Sequence, residues 1–454
     1  MTVPPSTPAG VLELLPAEQT IHDAMLDTIR RGYRSYGFVP IETPVFERTD
    51  VLLTKTGGET EHQVYFVQSA GSRQQGGDPD LALRFDLTVP LARYVAEHEH
   101  DLVFPFRRSQ IQRVYRGERP QRGRYREFYQ CDIDVIDRDD LSLRHDAEVA
   151  ATMIAILTDL SIGDVTVRLN NRRLMRSILA ECGVSDPVDQ GDVLREIDKL
   201  DKAGRDGVAA ALDRGGMASS DVIRLLDLTS VRVGGPDDIA AAMAELPASI
   251  RETGGGGDEL AEVVRTMDAL GVPPGRYELD LSVARGLDYY TGTVYETVLD
   301  SHPELGSICS GGRYDDLAGQ YTSTRLPGVG MSIGFTRLFW QLREAGLLPT
   351  GAASVDVMVA LLDEEGLDYA LAVARRLRSA DIATQTAMSV SKLGRQLKNA
   401  DRAGIPVVVI AGEDERRSDS VTVKDLVTGE QHLVALDALV SDLRNRSATR
   451  QDVK

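Results

Sequence analysis

"VYRGERPQRGRYREFYQCDIDVID", residues 114–137, gathers arginines in a chain that is acidic overall. Between Arg107 and Arg126 stand Arg107, Arg108, Arg113, Arg116, Arg119, Arg122, Arg124 and Arg126, with Glu118 the only acid among them. Carboxylates follow at once. Taken as a strand, "REFYQCDIDV" places Tyr129, Cys131, Ile133 and Val135 on an apolar face. Arg126, Phe128, Gln130, Asp132 and Asp134 fall on the other, because successive side chains alternate across a strand. Alternation alone also fits a sheet face washed by solvent. The content suggests more. Arginine presents a rigid fork that binds phosphate oxygens in pairs. Aspartate and glutamine can hold an ammonium or a ring N–H, and Phe128 could stack a base. The segment could therefore seat a polyphosphate at one end and a small cationic or heterocyclic group at the other.

The surrounding chain has 454 residues and a net charge of −19, a length suited to about two or three domains. Its 42% hydrophobic and 27% charged content is that of a globular protein. The three cysteines Cys131, Cys182 and Cys309 lie far apart without a CxxC pair, which argues against a disulfide framework or a cysteine zinc site. "MTVPPSTPAGVLELLPAEQT" has neither a basic region nor a long apolar run, and no stretch reaches about 18 apolar residues. A cytoplasmic protein without membrane contact is expected. Net acidity means that any nucleic-acid contact must be local.

Residues 18–36 are spaced for a helix that Gly37 stops. "FVPIETPVF" reads as a strand whose Pro40 and Pro44 suit a sheet edge. Strand-like runs "VYFVQ", "LALRFDLT" and "IQRVYR" alternate with a helical stretch around Val89–His98, without a βαβ rhythm, so an antiparallel α+β domain is expected. From 171 to 269 short helices separated by Gly, Pro and Ser take over, with "GGGG" at 254–257 read as a flexible break. Strand character returns at "RYELDLSV". After a linker, "LPTGAAS", strands "VDVMVALL", "IATQTAM" and "PVVVIAG" alternate with two helices, predicting a small α/β domain with a largely parallel sheet. The expected division is 1–170 with 270–347, a helical insertion at 171–269, and a domain at 354–454. "EHEHD", 97–101, lacks the HExxH spacing of a metal site and reads as solvated surface.

The opening stretch resembles the second motif of the class II aminoacyl-tRNA synthetases. "YGFVPIETPVFE" is similar to their first motif and "PGVGMSIGFTRL", 327–338, to their third. Within that class, "ARGLDYYTGTVYE", 284–296, and "SGGRYDDL", 310–317, resemble the two signatures of the histidyl-tRNA synthetase family, and "RFDLTVPLARY", 84–94, its substrate-amine segment. Two positions depart from the pattern: Thr336 stands where the third motif has an acid, and Asp316 where the second signature has glycine. The N-terminal family pattern is weak at "AGVLELLP".

The resemblance implies a class II catalytic domain with a helical insertion, a C-terminal anticodon-binding domain and a homodimer. It implies activation of L-histidine by ATP, with Mg²⁺ bound mainly through the phosphates, and transfer of the histidyl group to tRNA(His). By the same resemblance Arg116 and Arg285 flank the α-phosphate as the catalytic cations, while Glu118, Arg124, Phe128 and Arg337 complete the ATP site. The glycines Gly328, Gly330 and Gly334 before Arg337 permit close backbone approach to a ligand. Asp86, Leu87, Thr88 and Gln130 belong to the amine end of the histidine site, and Asp134, Tyr289 and Tyr290 to its ring end. Asp132 receives no role. Taken singly, most of these residues also fit blander positions, such as a surface ion pair for Arg337 or core aromatics for "DYY". Basic residues Arg375, Arg376, Arg378, Lys392, Arg395 and Lys398 are candidate RNA contacts. The competing reading is a synthetase-like regulatory subunit that binds ligand without charging tRNA. The C-terminal domain and the joint presence of Arg116, Arg285 and Arg337 count against it.

Overall fold

The structure, a computed structural model, describes residues 3–53, 62–74, 76–251, 255–284, 290–316, 318–348 and 354–452, with side chains to 446. The chain divides into two compact units, 1–13 with 25–348 and 14–24 with 349–454. In chain order the strands of the first are β1 (Val39–Pro40), β2 (Phe46–Arg48), β3 (Phe66–Val67), β4 (Leu81–Leu83), β5 (Phe106–Tyr115), β6 (Glu127–Ile136), β7 (Val165–Asn171), β8 (Arg232–Gly234), β9 (Tyr277–Asp280), β10 (Thr293–Leu299), β11 (Cys309–Tyr314) and β12 (Gly328–Ile333). Nine of them form one sheet in the order β1-β5-β6-β12-β11-β10-β7-β9-β8. Every pairing from β5 to β7 is antiparallel, which matches the expected class.

Proline dictates the sheet edge. Pro40 lacks the N–H that a central strand would use, and β1 ends on it as the outermost strand. The expected continuous strand "FVPIETPVF" is broken, because after Pro40 the chain leaves this sheet and Phe46–Arg48 joins a separate three-stranded one in the order β2-β4-β3. The 171–269 segment is helical as read, but it also supplies β8, which pairs with β9 and ends the sheet. Three residues are too few for a periodic signal; Arg232 holds them in place by an ion pair of 2.6 Å to buried Asp280. Of the glycine run read as a flexible break, Gly254 lies outside the described residues, whereas Gly256 and Gly257 are helical. Gly256 begins the helix Gly256–Ala269, and a Cβ there would lie 2.3 Å from the Leu174 backbone nitrogen, so its smallness lets two helices meet.

The second unit carries β13 (Val357–Ala360), β14 (Thr384–Thr386), β15 (Val407–Ile410), β16 (Ser420–Asp425) and β17 (Gln431–Ala435) in the order β14-β13-β15-β16-β17. The first three in that order run parallel, whereas β16 and β17 are antiparallel additions that the sequence reading left out. Both sheet faces are covered. Val357, Val359 and Val409 pack with Val373, Ala374 and Leu377 on one side, and Met358, Val408 and Ile410 pack with Ala400 and Ile405 on the other.

Candidate active site

The strands β5 and β6 are joined by the hairpin 116–126. Its ends are tied where Arg116 N–H donates to the Arg126 carbonyl at 2.9 Å and Arg126 N–H to the Gly10 carbonyl at 2.7 Å. At its tip Gly123 has φ +73°, and a Cβ there would lie 3.0 Å from the Trp340 ring. The turn therefore demands glycine twice over.

Most of the eight arginines serve the frame, which corrects the view that the cluster as a whole faces a polyanion. Arg107 grips Glu148 with two hydrogen bonds of 2.7 and 2.8 Å, and Arg113 pairs with Glu127 at 2.5 Å. Arg122 reaches Glu344 at 3.5 Å, and Arg126 donates to backbone carbonyls. Arg108 is wholly buried. Arg116 and Arg124 are the two that line a cleft of about 500 Å³.

That cleft also receives Asp86, Thr88, Glu118, Phe128, Gln130, Asp134, Tyr290 and Arg337, which come from well-separated parts of the chain. The Arg116 guanidinium lies between two rings, 4.4 Å from the centre of Phe85 and 5.1 Å from that of Phe128. Arg124 faces Glu118 at 3.5 Å. Arg337, in the first turn of the helix Phe335–Ala345, donates to the Leu305 carbonyl at 3.4 Å. Leu87 is the exception among the described candidates: its side chain is fully buried in the core, one residue before the helix Thr88–Glu97, and not part of the lining. Its neighbour Asp86 accepts the Val89 N–H at 2.9 Å, so this cleft carboxylate also caps a helix start. Arg285 and Tyr289 lie outside the described residues.

The carboxylate face of β6 is not solvated: Asp132 is 3% and Asp134 5% exposed. Strand register explains their company. Opposite Asp134, Asp132 and Gln130 on β5 stand Arg108, Gln110 and Gln112, and on β12 Gly330 and Ser332 flank Asp134 and Asp132. Arg108 ion-pairs with Asp134 at 2.6 Å and stands 3.8 Å from Asp132. Tyr314 donates its hydroxyl to Asp134 at 3.0 Å. Burial raises the Asp132 carboxyl to about 7 and the Asp134 carboxyl to about 6, with Arg108 opposing the rise in both. Burial likewise lifts Asp86 above the ordinary aspartate range. Such a floor suits a ligand that brings positive charge.

The motif glycines act differently from the sequence reading. A Cβ on Gly330 would lie 2.2 Å from Asp134 Oδ1, and one on Gly328 would meet the Tyr314 ring at 2.3 Å. Those two make room for site side chains, and Gly334, with nothing within 4 Å of its Cβ position, opens on the cleft. The departure at Thr336 has a structural use, since its Oγ1 accepts the Tyr129 N–H at 2.8 Å and ties the helix to β6.

Arg108 was counted only in the arginine cluster, and Ser332, Phe85 and Tyr314 fell within the motif stretches without being singled out, because their part depends on register or on loop approach.

A family model described as histidyl-tRNA synthetase matches residues 10–338, and one described as an anticodon binding domain matches 356–446. This chain belongs to the histidyl-tRNA synthetase family. It is 57% identical to a histidine–tRNA ligase of Xanthomonas oryzae over 97% of each chain. It is 55% identical to one of Stenotrophomonas maltophilia, covering 97% of this chain and 98% of that one. The crystal structure of histidyl-tRNA synthetase from Nostoc sp. superposes with a TM-score of 0.89 at 39% identity, covering 98% of this chain and all of that one. A Bacillus halodurans structure titled ATP phosphoribosyltransferase regulatory subunit/histidyl-tRNA synthetase shares the fold, with a TM-score of 0.71 at 22% identity over 88% of this chain and 97% of that one.

Proposed function

We infer that this chain is a histidine–tRNA ligase. It joins the carboxylate of L-histidine to the α-phosphate of ATP, releasing pyrophosphate, and then passes the histidyl group to the 3′-terminal ribose of tRNA(His), releasing AMP. The observation that carries this reading is one cleft with Arg116, Arg124 and Arg337 among its lining and a floor of buried carboxylates, Asp86, Asp132 and Asp134. The guanidinium of Arg116 stabilises charge that builds on the α-phosphate oxygens as the histidine oxygen enters and pyrophosphate leaves. Positioning and electrostatics carry the step, without a covalent enzyme intermediate. The carboxylate floor, Gln130 and Thr88 receive the amino acid, and Phe128 and Arg337 receive the adenine. The family signature gives Arg285 the second α-phosphate contact and Tyr289 a ring contact.

Glu118 is already engaged by Arg124 at 3.5 Å, which agrees with Mg²⁺ held by the phosphates and water rather than resident on the protein. The C-terminal domain binds the anticodon arm. Exposed Phe46, Phe66 and Leu81 on the three-stranded sheet support a homodimer. No described helix is long and apolar enough to cross a membrane, and the buried free cysteines agree with the cytoplasm as its place.

Pyrophosphate exchange measured with each of the twenty amino acids, followed by charging of total tRNA, tests the reading. Exchange with histidine alone and charging of tRNA(His) are expected. Ligand binding without exchange would return the chain to the regulatory-subunit class. Arg285→Ala should nearly abolish exchange while the fold persists, and near-normal exchange would remove that residue from the mechanism.

A further inference from the structure

Asp132 has no individual part in the roles above, yet it occupies the middle of the cleft floor on β6, between Gln130 and Asp134. The two aspartates differ in what holds them. Asp134 has both oxygens engaged, Oδ1 by the Tyr314 hydroxyl at 3.0 Å and Oδ2 by Arg108 at 2.6 Å. Asp132 stands 3.8 Å from the same guanidinium. Its Oδ1 is buried and has no hydrogen-bond partner among the described residues.

Gln130 shows the same feature two residues earlier on the same face. Its Nε2 donates to the Ser332 hydroxyl at 3.0 Å, and that hydroxyl in turn bonds Asp132. Ser332 thereby sets the amide's orientation and turns the Gln130 carbonyl the other way. Gln130 Oε1 is also buried without a hydrogen-bond partner among the described residues. Two neighbouring buried acceptors, one of them a carboxylate, call for a ligand group with several N–H donors and a positive charge. An ammonium has three N–H donors and no acceptor. A neutral imidazole offers a single N–H and fits two adjacent acceptors poorly.

We propose that Asp132 is a substrate-binding residue that accepts, together with Gln130, the α-ammonium of the amino-acid substrate. Arg108 is a positioning residue: it pairs more closely with Asp134 and leaves Asp132 Oδ1 without a partner among the described residues. This assignment rests on the histidine-activating reading above.

The test compares two ligands that split the substrate's groups. Histidinol keeps the ammonium and the ring but lacks the carboxylate; imidazolepropionate keeps the ring and the carboxylate but lacks the ammonium. In Asp132→Asn, KM for histidine in pyrophosphate exchange should rise about 10- to 100-fold, with KM for ATP unmoved. Calorimetry should show histidinol weakened by a similar factor and imidazolepropionate within about twofold of wild type, because only the former meets the lost charge. Equal weakening of both ligands, or an unchanged histidine KM, overturns the assignment. Should Asp132→Asn fail to fold, Gln130→Met must show the same split between the two ligands, and its absence is equally decisive. Wild-type protein without histidine-dependent exchange removes the parent reading and this one with it. Wild-type exchange beside an unaffected Asp132→Asn removes this one alone.

Discussion

Strands β6 and β15 are both central in their sheets, and they are built on opposite plans. Strand β15, "VVVI", is buried and apolar on both faces, packed between two layers of side chains. Strand β6, "EFYQCDIDVI", has one apolar face and another that buries Gln130, Asp132 and Asp134 around a cleft. The first plan returns hydrophobic free energy for every residue ordered. The second spends stability, because carboxylates taken from water are charged only at a cost that Arg108 offsets in part. A strand that keeps such groups is organised around a ligand, whereas one that lacks them is scaffold.

The contrast is open to direct attack. The largest effect is expected at β15, where Val409→Asp places an unpaired charge in a fully buried apolar position. It should cost several kcal/mol, of order 4 or more, unfold the C-terminal unit in thermal melts and abolish tRNA charging while histidine-dependent exchange persists. On the cleft side, Arg116→Ala should lower kcat/KM for exchange about 10²- to 10³-fold with little change in melting temperature. Loss of both in parallel would mark Arg116 as structural.

A subtler break concerns acidity. The Asp132 carboxyl, raised by burial to about 7, favours the proton in the folded state. Its penalty is therefore absent below the ordinary aspartate range near 4 and grows as pH rises toward about 7. Asp132→Asn should accordingly raise stability at pH 8 by roughly 1–3 kcal/mol and confer no advantage near pH 4, read by denaturant unfolding at the two pH values. A variant less stable than wild type at pH 8 would mean that Asp132 contributes to the frame. The smallest effect belongs to Thr336→Val, which removes the acceptor of the Tyr129 N–H. About 1 kcal/mol of stability and nearly unchanged exchange are expected, since the bond ties helix to strand outside the ligand contacts.

Several features were legible because they are local. The alternation of β6 announced its two faces, proline marked the edge strand at Val39–Pro40, and the signature stretches named the family. Strand β8 and the close approach at Gly256 were not legible: a three-residue strand has no period, and a glycine's neighbour lies about eighty residues away, at Leu174. The arginine cluster misled for a related reason. Composition cannot tell a guanidinium that meets a ligand from one that meets Glu148 or Glu127.

Sequence alone thus determined the class of fold, the family and ten of the residues that line the cleft, since short-range pattern and motif order carry that information. Tertiary structure decided how they are matched. Which carboxylate Arg108 neutralises follows from the register of β5 against β6 and the placing of Tyr314 from β11. Cross-strand register is a cooperative outcome of many distant contacts, and it leaves Asp134 paired and Asp132 with an acceptor to offer.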